Sequence, residues 1–300
     1  MAEPLVDPGP WRPAGRARAG TPRGRAVGLR LAARRIGGPA LLGLLVLGAI
    51  AVPALAGDAS VRYDQVRLPP SPAHPFGTDT GGRDLFAQSF AGLRVSLLVA
   101  ALCAVVSAVL GALVGAVAGS LGGWTDRLLM RLVDTVNAVP HLLLGIVIVA
   151  LYRGSLVAVI LSIAATHWTT VARIVRTEVL SLRRRPHVDA AIAGGSSRWR
   201  VLHRHLLPAI VPQAALSAVL LVPHAVWHET ALSFLGLGLP PHLASIGTLL
   251  GDGREAVLLG AWWMVLFPSL LLVLTTLAVS GVAATWRDRV VPRRRSEWAL

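Results

Sequence analysis

Six long apolar runs restrict the fold of this chain more than any other feature of its 300 residues. A hydrocarbon core ~30 Å thick is crossed by ~20 apolar residues in helix, because every backbone polar group must be satisfied within the segment. The runs are Gly37 to Gly57, Val95 to Thr125, Thr135 to Tyr152, Gly154 to Ala172, Leu206 to His228 and Ala256 to Trp286. Only Arg153 separates the third from the fourth, and Pro208, Pro212 and Pro223 punctuate the fifth. They predict an all-α membrane protein with six transmembrane helices. Composition agrees, with 15% charged residues against about 25% in a soluble domain. The first run reads as a retained helix, since a long tail precedes it and no cleavage pattern follows a short basic start.

All 29 basic residues are arginine, and the net charge is +14. The absence of lysine excludes a Walker A lysine, a Schiff-base lysine and a lysine general base. The arginines lie between apolar blocks, where lipid headgroups and topology explain them better than nucleic acid does. Residues 1–36, 124–134, 173–205 and 286–300 hold 8, 2, 8 and 5 arginines, and the alternate segments hold 4, 1 and 1. This 23 to 6 split places both termini in the cytoplasm under the positive-inside rule. The expected organisation is a disordered basic tail over 1–36 and a first helix over 37–57. An extracytoplasmic loop over 58–94, a five-helix core over 95–290 with a cytoplasmic loop at 173–205, and a tail over 291–300 complete it. Trp124, Trp227, Trp262, Trp263 and Trp286 fall at span ends, as interfacial aromatics do.

Gly111, Gly115 and Gly119 recur every fourth residue within the second run. Small residues at that spacing let a second helix backbone approach closely, so they predict helix packing. The lone Cys103 lies in an apolar run and reads as a small buried hydrophobe. His141, His167 and His224 are scattered over separate runs without metal-ligand spacing, which favours polar packing over a metal site.

The segment PHVDAAIAGGSSRWRVLHRHLLP, from Pro186 to Pro208, interrupts the apolar sequence. Pro186 suits a first helical residue, Gly194 and Gly195 suit a turn, and Ser196 or Ser197 suits the cap of a second short helix. Trp199, Leu202 and Leu206 share one side of that second helix, and Arg200 and Arg204 another. Such a hairpin is a passive interfacial element or a docking site. The order Asp189-Ala190-Ala191, then Gly195, then Leu206-Leu207-Pro208 resembles the EAA loop of permease subunits of binding-protein-dependent ABC importers. That resemblance implies a type I ABC importer permease fold and a loop, carried here by Asp189, Ala190, Ala191, Gly195 and Pro208, that docks on an ATP-binding subunit. Asp189 stands where the family usually has Glu, and Ile192 and Gly194 stand where Arg and Leu are frequent.

Two further stretches are similar to the C-type permease of the dipeptide, oligopeptide and nickel branch. They are His74-Pro75-Phe76-Gly77-Thr78-Asp79 with Gly82-Arg83-Asp84, and Glu229-Thr230-Ala231-Leu232-Ser233-Phe234-Leu235-Gly236-Leu237-Gly238. Met130-Arg131-Leu132-Val133-Asp134 with Pro140 is a weaker third match. The residues themselves allow Thr78 or Asp79 to cap a helix carrying Phe86, Phe90 and Leu93. Asp79, Arg83 and Asp84 form either a solvated cluster or a binding-protein contact. Glu229 is either an interfacial carboxylate or part of the outer mouth of a pathway.

The resemblance implies a multi-pass protein of the bacterial plasma membrane that imports peptides, or else nickel or another small solute. Its implied partners are a second, B-type permease, two ABC ATPase subunits that bind ATP and magnesium, an extracytoplasmic substrate-binding protein and membrane lipid. No cofactor, metal or catalytic residue is expected in this chain. A secondary transporter would carry ionisable residues at mid-membrane or inverted repeats, and an intramembrane hydrolase would carry HExxH or GxSxG; neither pattern is evident.

Overall fold

The computed structural model describes residues 22–56, 60–240 and 243–290. Ten helices make up the fold among the described residues: α1 (Pro22–Leu55), α2 (Leu85–Leu121), α3 (Gly123–Ala138), α4 (His141–Leu151), α5 (Leu156–Leu182), α6 (Pro186–Ala193), α7 (Arg198–Val201), α8 (Leu207–Phe234), α9 (Ile246–Leu258) and α10 (Trp263–Val290). Five are long and apolar enough to span a bilayer, and α3 with α4 supplies a sixth crossing only as a pair bent by 81°.

The breaks have local causes. Pro140 has no N–H, and it holds Val139 extended at φ −86°, ψ 129°, so the run expected to cross from Thr135 to Tyr152 divides into two helices. Asp126, Arg127, Arg131 and Asp134 precede that run and lie in the first of the two helices. The run expected from Ala256 likewise divides, because Gly260 turns the chain at φ +88° between α9 and α10. Before Pro208, which has no N–H to return to the preceding turn, Leu202–Leu206 widen into a π-turn leading into α8.

The first helix begins at Pro22 rather than Gly37, so it takes in residues 22–36 of the segment expected as a basic tail. Its Ala, Leu and Arg residues are good helix formers and propagate from the apolar helix that follows. The rest of that tail, and the tail over 291–300, lie outside the described residues.

The second helix is the centre of the bundle. It runs parallel to α5 and meets it along the glycine stripe: a Cβ on Gly111 would come within 2.4 Å of the Trp168 carbonyl, one on Gly115 within 2.4 Å of the Ala172 carbonyl, and one on Gly119 within 2.8 Å of Val179. Backbone therefore packs on backbone, which gains dispersion contacts where lipid supplies no hydrophobic drive. Outside this pair, α1 crosses α10 where Gly38 meets Gly281. Cys103 is buried in the shared core with Leu93, Val159, Ile163 and Leu232.

Candidate functional site

Where α2 and α5 end together, Arg183 donates to the Gly119 carbonyl at 2.9 Å and Arg176 to Asp126 at 2.5 and 2.6 Å. These bonds fix the end of α5, from which the chain enters the hairpin at Pro186. Arg185 is extended at the start of α6, and Pro186 takes a first-turn position where its missing N–H is harmless. At the far end, Gly195 donates to the Ile192 carbonyl at 3.0 Å and Ser196 to the Ala191 carbonyl at 3.1 Å. This paired closure requires a left-handed residue, and Gly195 supplies it at φ +81°. Of the two serines weighed as caps, Ser197 performs the task, its Oγ accepting from the Arg200 amide at 3.3 Å.

The hairpin has two unlike sides. Val188, Val201, Leu202 and Leu206 are buried against Val175, Val179 and Leu182 of α5, which welds the hairpin to the bundle. Asp189, Ala190, Ile192, Ala193 and Gly195 are exposed, as is Pro208, Ala191 is half-buried, and Arg200 and Arg204 add positive charge. Trp199 departs from the expected side. It is 57% exposed and stacks on His203 at 6.1 Å, whereas Leu202 is buried. A small knob held to the bundle, with an apolar and acidic tip, is suited to a protein groove, because little side-chain freedom remains to be lost on docking.

At the opposite end, the loop between α1 and α2 is knitted by its own polar groups. Thr78 accepts from the Leu68 amide at 2.7 Å and donates to the Gln65 carbonyl, while its carbonyl accepts from Trp263 Nε1 at 3.2 Å. Asp79 is buried and accepts from the Gly81 and Arg83 amides, both at 2.8 Å. Turn amides thus take up Oδ1 of the carboxylate that was expected in a binding-protein contact, and Oδ2 lies 3.7 Å from Arg83. The cap of α2 is Asp84, not Thr78 or Asp79; it accepts from the Ala87 amide at 3.0 Å and pairs with His74 at 2.8 Å. Arg83, with 40% of its side chain exposed, is the outward-facing member of this group.

Glu229 is fully buried, which corrects the expectation of a carboxylate at a water-filled mouth. Helix α8 continues to Phe234, so Glu229 lies within it, and Ser233 one turn later donates to it at 2.8 Å. Ser96 of α2 donates to the other carboxyl oxygen at 2.8 Å, and itself accepts from the Ile246 amide at 3.2 Å. One carboxyl group thus ties α2, α8 and the start of α9. Sequence reasoning missed this because its partners lie 133 positions away and across a turn.

The histidines are not scattered either. His167 of α5 lies 5.6 Å from His141 at the start of α4, 6.5 Å from His224 and 4.8 Å from His228, the last two on α8. The i, i+4 spacing of His224 and His228 was the only local signal of the cluster. Among the described residues, no three His, Cys, Asp or Glu side chains are placed to hold one metal ion.

Comparison with known proteins follows the same outline. Residues 111–296 match the family described as binding-protein-dependent transport system inner membrane component. The chain is 34% identical over 263 residues to the dipeptide transport system permease protein DppC of Bacillus subtilis, covering 85% of this chain and 82% of that one. It is 38% identical over 259 residues to the oligopeptide transport system permease protein OppC of Escherichia coli, covering 85% of each. Putative peptide transport permeases of Brucella are similar at 37% identity over 262 residues.

Proposed function

The chain belongs to the binding-protein-dependent transport inner membrane component family, and on that premise we propose that it is one permease subunit of an ATP-driven peptide importer. It is a multi-pass membrane protein and a transport component rather than an enzyme. Peptides are the substrate class because the relatives that cover most of the chain are peptide and oligopeptide permeases.

The observation that carries the mechanism is the hairpin Pro186–Leu206, locked to α5 on one side and bare on the other. In this reading both termini and the hairpin face the cytoplasm, where an ABC ATPase receives Asp189, Ala190, Ala191 and Gly195. ATP and magnesium are bound by two such ATPases, a B-type permease completes the pathway, and an extracytoplasmic binding protein delivers the peptide. Rigid contact between hairpin and α5 conveys motion of the ATPase to the parallel α2–α5 pair, whose glycine seam moves as a unit.

The test is uptake of a labelled tripeptide by proteoliposomes holding the assembled transporter. Uptake that requires internal ATP and the binding protein supports the reading. Uptake by this chain alone on an ion gradient contradicts it.

A further inference from the structure

Four imidazoles from three helices share one face of the bundle, and the carboxyl of Glu229, the next residue after His228, is occupied elsewhere by serines. His167 is twelve residues into α5, about 17 Å along the helix axis, well inside the span. Burial decreases across the group: His167 is buried, His141 and His228 are half-buried and His224 is exposed. A polar cluster at this depth that opens on the subunit's surface is costly against acyl chains, so that surface faces water or a partner.

The hydrogen bonds set the chemistry of the cluster. His167 Nδ1 lies 2.9 Å from the Ile163 carbonyl, and His224 Nδ1 lies 3.2 Å from the Leu220 carbonyl. A carbonyl oxygen only accepts, so in each ring Nδ1 carries the proton and, in the neutral ring, Nε2 presents a lone pair. Neither Nε2 has a hydrogen-bond partner among the described residues. The site thus offers acceptors to a cationic N–H donor. With no carboxylate in the cluster, binding is weak enough for release, as a pathway requires.

We propose that His167, His224, His228 and His141 form a pathway subsite for the α-ammonium group of the transported peptide. This rests on the peptide-importer reading. A resident metal ion is disfavoured because no three ligands converge among the described residues.

The test is 15N NMR of the histidine-labelled full chain, assembled with its partner subunits in nanodiscs and titrated with trialanine or N-acetyl-trialanine. The proposal expects the Nε2 resonances of His167 and His224 to shift with trialanine, with at least tenfold weaker apparent affinity for the acetylated peptide. His228→Gln, at a half-buried position, should weaken the trialanine response severalfold while leaving assembly with the partner subunits intact. Equal responses to the two peptides, or none to either, overturn the subsite. Nickel(II) broadening these resonances at lower concentration than trialanine shifts them overturns it in favour of a metal. Peptide uptake by the wild-type transporter reports separately on the importer reading, so failure of one is distinguishable from failure of the other.

Discussion

Replacing Glu229 with alanine removes the shared acceptor of Ser96 and Ser233 and strands both hydroxyls in the core. The expected loss is about 1–3 kcal/mol of stability, read by thermal denaturation in nanodiscs, with partial recovery in Glu229→Gln. Full stability of Glu229→Ala would show that the carboxyl does not tie the helices. Gly195 makes a different demand, because a Cβ meets open space there and only the left-handed backbone resists. Gly195→Ala should therefore cost about 1–2 kcal/mol and loosen the turn, read as faster amide exchange at Gly195 and Ser196. The turn was legible because a Gly-Gly pair between two short amphipathic stretches has few other uses. The role of Glu229 was not legible, since the adjacent sequence reads as the end of a span while its partners come from α2 and from the following turn.

At the scale of elements, the α2–α5 seam should be the least tolerant surface of the bundle. Gly115→Leu forces a side chain where a Cβ alone would meet the Ala172 carbonyl at 2.4 Å. Overpacking of this kind costs about 1–3 kcal/mol or more, and the variant should fail to accumulate in the membrane; normal accumulation would contradict the seam. The spacing of the glycines made a packing face readable, whereas the identity of α5 as the partner required the fold. Helix breaks at Pro140 and Gly260 were hidden because apolar sequence continues across both. On α9, Asp252 is exposed, yet partial desolvation of its carboxyl raises it above the usual carboxylate range, the Asp79 carboxylate adds to this, and Arg83 opposes it. Because the folded value is raised, the favourable contribution is complete below the ordinary carboxylate range and is lost as pH rises through the raised value. Wild-type melting temperature should fall over that rise relative to Asp252→Asn, and parallel curves would contradict this.

For the whole molecule, the apolar runs made the membrane class and the all-helical fold readable, because the bilayer penalises charge and open backbone independently of tertiary detail. The histidine cluster was not readable, since it is assembled from α4, α5 and α8 by packing alone. Orientation is testable in a Cys103→Ala background. Arg67→Cys should react with an impermeant maleimide in intact cells, and Ser197→Cys only after permeabilisation; the reverse pattern would invert the topology. The central claim, that another protein's ATP hydrolysis moves this one through the hairpin at Pro186–Leu206, is tested most directly by tripeptide uptake in the assembled transporter carrying Asp189→Arg or Gly195→Val. The account predicts loss of ATP-driven uptake with normal membrane levels of both variants, and normal uptake by both would contradict it.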